Sequence, residues 1–210
     1  MGLPQLFWIG LEMTRLTNTP LFPLTTNVLP GAYLPLQIFE PRYIDMIKSC
    51  LSNSEGFCIV LVKSNEGEEI DDLPKHYDIA TYVEIVDFNQ LENGLLGITV
   101  QGKEKIKISE RWKQSDELLI GKISKVQEED NDLSMDPRFS DLWAMVKDVI
   151  SHPEIKKLNL DLDLNSSKSV CYILASILPL TPLEKQTILE LDQTEDKLDY
   201  LKDIIKKLGG

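Results

Sequence analysis

The stretch Leu21–Tyr43, LFPLTTNVLPGAYLPLQIFEPRY, carries four of the chain's eleven prolines among aliphatic and aromatic residues. A proline donates no backbone hydrogen bond and turns its predecessor away from the α region. Its density here excludes a long helix or a central strand. The spacing predicts short extended pieces with fixed bends: Leu21–Leu24, a turn at Pro30-Gly31, then Leu34–Phe39. Pro41 stands where the first residue of a helix is expected. Apolar side chains on such a frame suit the wall of a barrel or of a groove.

Around this stretch the composition is that of a globular protein, 42% hydrophobic and 27% charged over 210 residues. That length supports one large domain or two small ones. The net charge of −12 sets up a field that repels phosphate, which opposes nonspecific binding to nucleic acid or to an anionic membrane. Cys50, Cys58 and Cys171 are odd in number, far apart and free of any CxxC spacing. They read as buried free thiols of a reducing cytosol, and the chain as cytoplasmic. No apolar run reaches the ~18 residues that a membrane span needs. Residues 1–12, MGLPQLFWIGLE, lack the basic start and cleavage site of a signal peptide. Residues 1–18 are taken as a leader or loosely ordered tail, with Met13 as an alternative start.

Beyond Pro41, Tyr43, Ile44, Ile47 and Leu51 fall at helical spacing, and Asn53–Gly56 ends the helix. Phe57–Val62, Ile79–Phe88, Leu95–Val100, Lys105–Ile108 and Leu118–Val126 read as strands, with Asn93-Gly94 as a hairpin turn and Gly102 as a break. Ser64–Lys75 is acidic and reads as a solvated loop. About six short strands with one early helix predict a small closed or nearly closed barrel, because closure removes exposed edges. Glu128–Met135 is an acidic break and the expected domain boundary. After it the period changes to 3.6. Asp136-Pro137 starts a helix whose face is Phe139, Leu142, Trp143, Val146, Val149 and Ile150. Val170, Ile173, Leu174, Ile177 and Leu178 form a second stripe. Thr181-Pro182-Leu183-Glu184 is a capping box, and Thr194 is expected to cap a last helix ending at Gly209-Gly210. The fold class is therefore α+β, with a β-rich part over 19–127, a linker over 128–135 and about four helices over 136–210.

FPL, VLPG and LPLQIFEPRY in the opening stretch resemble the signature of the Lon protease amino-terminal (substrate-binding) domain family, above all the small bacterial proteins that carry this domain alone. Gln37 stands where a histidine is common. The resemblance continues through Phe57–Leu61, Ile79-Ala80-Thr81, Asp87-Phe88, Gly94–Ile98 and Gly102, and through Ile177–Leu180 with Glu184-Lys185-Gln186 and Leu189-Glu190. It covers about Pro20 to Leu208. Ala80 replaces the usual glycine, and Lys105–Ile108 the usual arginine-phenylalanine-arginine-isoleucine. The fold it implies is a PUA-like pseudo β-barrel followed by a helical bundle, in agreement with the pattern reading.

Chemistry is mostly missing from the sequence. No GxxxxGK[ST], GxSxG, SxxK or GxGxxG occurs, so neither the ATPase nor the Ser–Lys module of a whole Lon protease is here. His76 and His152 belong to no metal or catalytic cluster, and Glu66–Asp72 does not meet the calcium-loop spacing. No catalytic residue, cofactor or metal is expected. The candidate binding residues are Leu34, Leu36, Gln37, Ile38, Phe39, Glu40, Arg42 and Tyr43. Leu34, Leu36, Ile38 and Phe39 would form an apolar groove beside Glu40 and Arg42, against the plainer alternative of core packing and a structural ion pair. The expectation is a non-enzymatic module that binds polypeptide clients or a partner protease, as a monomer or weak homodimer. The alternative is an RNA- or nucleotide-binding PUA-like module, which the charge opposes.

Overall fold

The computed structural model describes residues 15–63, 75–152 and 163–209. Six strands form among them: β1 (Arg15–Leu24), β2 (Tyr33–Ile38), β3 (Phe57–Leu61), β4 (Ile79–Gln90), β5 (Leu96–Lys113) and β6 (Leu119–Lys125). They make one mixed sheet in the order β2-β5-β4-β3-β1-β6, and a further β5–β6 pairing closes it on itself. The α+β class holds, but the barrel is not a clean one. β2 pairs only with β5 and stays outside the ring, and β1–β3 is parallel where the other pairings are antiparallel.

Two expectations are corrected, each for a backbone reason. The proline-rich stretch does contribute an inner strand, since β1 lies between β3 and β6. Residues up to Pro20 pair with β6, and Leu21–Leu24 pair with β3. The strand changes partner at Pro20-Leu21, so neither Pro20 nor Pro23 is asked to bond on both sides at once. The two short strands expected on either side of Gly102 are one strand, β5. Gly102 is no break. A Cβ there would sit 2.3 Å from the Leu29 carbonyl oxygen, and the residue exchanges backbone bonds with Gly31 and Ala32 instead. Glycine permits this close approach of two backbones.

Five α-helices are described: α1 (Pro41–Asn53), α2 (Ser140–Ser151), α3 (Ser167–Ile177), α4 (Pro182–Glu190) and α5 (Thr194–Leu208). α1 starts at Pro41 and stops at Ser54, which takes a left-handed conformation (φ 55°). The capping box of α4 is formed on both sides by Thr181 and Glu184. Thr194 does not cap α5: Gln193 holds that place, and the Thr194 hydroxyl donates to the Glu129 carbonyl. The acidic segment is thereby held to the helices, where Leu133 N–H also donates to Ser167.

Alternate residues divide between cores. On β3, Cys58 belongs to a cluster with Leu21, Val60, Ala80, Ile106 and Ile123, whereas Ile59 packs with Phe22, Ile38, Ile47 and Val100 beneath α1. The opening stretch ties this half to the helices through two consecutive residues. Val28 enters the core under α1, and Leu29 enters the helical core with Phe139, Tyr172 and Leu198. Thr81 donates to the Val28 carbonyl at 2.7 Å, and Asn27 donates to Gln186 of α4 at 3.3 Å. A second tie is ionic. Lys105 and Lys197 are both buried; Lys105 donates to the Leu191 carbonyl at 2.9 Å, and Lys197 meets Glu128 at 3.1 Å.

Candidate functional site

Register decides which side chains of β2 meet solvent. Its burial alternates, with Tyr33, Pro35 and Gln37 exposed while Leu34 and Leu36 are half-buried and Ile38 is closed off. Phe39, just past the strand, keeps the outward parity and is 67% exposed. Leu34, Leu36 and Ile38 turn inward onto the core beneath α1; Ile38 is 1% exposed. The side chains that this stretch turns to solvent are instead the outward row Tyr33, Pro35, Gln37 and Phe39. Tyr33 and Pro35 were absent from the expected set, although the two-residue period of a strand already places them with Gln37 and Phe39. Across the sheet the same face continues as Gln101 and Glu84 beside Tyr33, Thr99 and Asp87 beside Pro35, and Gly97 and Asn89 beside Gln37.

Glu40, Arg42 and Tyr43 hold the base of this row. Arg42 pairs with Glu40 at 2.6 Å and donates to the Glu117 carbonyl at 3.1 Å. Glu117 has a φ of 65°, so the guanidinium pins a strained turn of the β5–β6 hairpin to the start of α1. It also lies 4.9 Å from the centre of the Tyr43 ring, which packs 4.3 Å from Phe22. With Nη1 and Nη2 committed in this way, and Nε buried without a partner among the described residues, the arrangement fits a structural ion pair.

A cleft of about 400 Å³ separates β5 from α3 and is lined by Lys103, Lys125, Lys168, Glu104 and Glu128. Most of its charges are matched within the chain: Lys103 with Glu84 at 3.3 Å, Lys125 with Glu104, and Glu128 with Lys197. Among the described residues, no three His, Cys, Asp or Glu side chains converge to hold a metal ion.

Over residues 18–207 the sequence matches the family described as the ATP-dependent protease La (LON) substrate-binding domain. The chain belongs to the Lon substrate-binding domain family. Among solved structures, a Lon N-terminal domain protein from Xanthomonas campestris is 25% identical, with a TM-score of 0.70 over 90% of this chain and 98% of that one. The N-terminal domain of a Mycobacterium avium complex Lon protease shares the fold, with a TM-score of 0.63 at 16% identity over 89% of this chain and 96% of that one. The Lon protease of Parabacteroides distasonis is 26% identical over 90% of the chain. The chain spans about a quarter of that relative's length (24%).

The three thiols and His76 of this Lon-family domain are shut away. Burial pushes the Cys50 thiol up to about 11 and raises Cys58 and Cys171 further, so none supplies a thiolate near neutrality. The acidic residues Glu66–Asp72, expected as a solvated loop, and Trp8 of the leader lie outside the described residues. His76 is 3% exposed, its Nδ1 lies 3.0 Å from the Tyr77 carbonyl, and its Nε2 is buried without a partner. Burial, with Arg111 3.3 Å away, lowers its pKa. The unfolded chain therefore takes up the proton first as pH falls below about 6.5. The stability that neutral His76 contributes is complete above that pH and is lost as pH falls towards the folded pKa. Urea midpoints measured from pH 7.5 to 5 should fall more steeply for the native chain than for His76→Gln. Parallel curves would count against this assignment.

Proposed function

We propose that this domain binds extended polypeptide segments and performs no catalysis of its own. The reading rests on one observation, the outward row Tyr33, Pro35, Gln37 and Phe39 on the sheet's edge strand, with Phe39 67% exposed. Aromatic side chains bring large contact area with few rotatable bonds, which makes them efficient anchors for a partner. Phe39 and Tyr33 together leave aromatic surface in water that a partner could cover with a gain in free energy. Pro35 blunts β2 as a template for an added strand, so recognition runs mainly through side chains. The known name of the family, a substrate-binding domain, supports the same reading.

Its place would be in proteolysis, with bound clients delivered to ATPase and protease parts on the same polypeptide or on a partner. Residues 19–127 and 136–210 would act as two lobes, held together through residues 128–135, and the cytoplasm would be the setting. The test is a fluorescence-anisotropy titration with a permanently unfolded, carboxymethylated protein. Combining Phe39→Asp with Tyr33→Ser should weaken binding ~30-fold, the loss of an anchor worth about 2 kcal/mol. Unchanged affinity in a variant with a native circular-dichroism spectrum, or no saturable binding by the native chain, would overturn the proposal.

A further inference from the structure

We infer that the outward face of β2 and β4 selects clients in which apolar residues alternate with lysine or arginine. The inference rests on the binding role just proposed and names the substrate class of that surface. Its basis is the cross-strand register. Pro35, Thr99 and Asp87 share one row, and Tyr33, Gln101 and Glu84 share the next. β4 lies two strand spacings from β2, about 10 Å, so a segment lying along the aromatic row has these carboxylates within reach of a long cationic side chain.

The two carboxylates differ in availability. Glu84 meets Lys103 at 3.3 Å, a half-exposed pair of the kind that exchanges at little cost. Asp87 is exposed and has no ion-pair partner among the described residues; one of its oxygens accepts the Phe88 N–H. Among the described residues neither row contains a lysine or arginine; Lys103, two residues past Gln101 on β5, reaches in only to Glu84. The net charge of −12 adds a long-range field of the same sign, which draws a cationic segment in and repels an acidic one. Apolar anchors on one strand and an exposed carboxylate two strands away call for alternating apolar and basic side chains.

Two fluorescein-labelled dodecapeptides test this, each alternating phenylalanine with serine and carrying three lysines in one and three glutamates in the other. At low salt the lysine peptide should bind the native chain at least ~10-fold more tightly, with the difference shrinking at 0.5 M salt. Asp87→Lys should remove most of that preference. Asp203→Lys on α5 makes the same change in net charge at an exposed position of the helical half and should leave most of it. Equal binding of the two peptides would overturn the inference while leaving polypeptide binding intact. Equal loss in the two variants would also overturn it, by tracing the preference to overall charge. Failure of both peptides, together with failure of the unfolded protein, would overturn both readings.

Discussion

Replacing Lys197 with methionine should cost the fold about 3–5 kcal/mol, the range for removing one partner of a buried ion pair. Lys197 is wholly buried; its Nζ meets Glu128 at 3.1 Å and donates to the carbonyls of Ile188 (2.9 Å) and Leu191. Desolvation by burial lowers its pKa, with Glu128 acting the other way. Methionine keeps the volume and removes the charge. The Glu128 carboxylate, 6% exposed, would keep the Tyr172 hydroxyl at 2.6 Å and only a distant Lys168 at 4.0 Å. A carboxylate without its cation in so dry a place is the expensive outcome. Adding Glu128→Leu should restore much of the loss, because the pair removed together leaves no stranded charge. Urea denaturation of the two single variants and the double variant measures this. A cost below about 1 kcal/mol for Lys197→Met would mean that water reaches the junction.

Leu29→Ala should cost about 2–5 kcal/mol, as truncation of a buried leucine does. Leu29 is 1% exposed and lies in the helical core, although it belongs to the loop that also sends Val28 into the core under α1. The local consequences of the two residues should therefore separate. In Leu29→Ala, amide exchange should speed up first in α3 and α5; in Val28→Ala, it should do so in α1 and β3. Acceleration confined to the sheet in both variants would contradict the division of that loop between two cores.

Much of the fold was legible along the chain. Strand and helix periods, Pro41 at a helix start, the Thr181–Glu184 box and the Asn93-Gly94 turn are local signals that act within a few residues, and the structure contains each of them. Gly102 and Thr194 were misread for the opposite reason. One is set by the Leu29 backbone and the other by Glu129, partners far away in sequence. Lys105 is a charged residue on a strand, yet it is 2% exposed, because the end of α4 supplies the carbonyls that replace its water.

The candidate site shows the same limit more sharply. The sequence by itself determined the extended backbone of the proline-rich stretch, because proline constrains the chain wherever it stands, and the family to which the chain belongs. Parity along β2 further divided Tyr33, Pro35, Gln37 and Phe39 from Leu34, Leu36 and Ile38. Only the tertiary structure decided which of these two sets faces water, through the packing of α1 over Ile38. It alone set Asp87 in the row of Pro35 and committed Arg42 to the Glu117 turn. A strand's two faces are equivalent in the isolated chain, and they become inside and outside only when another element buries one of them.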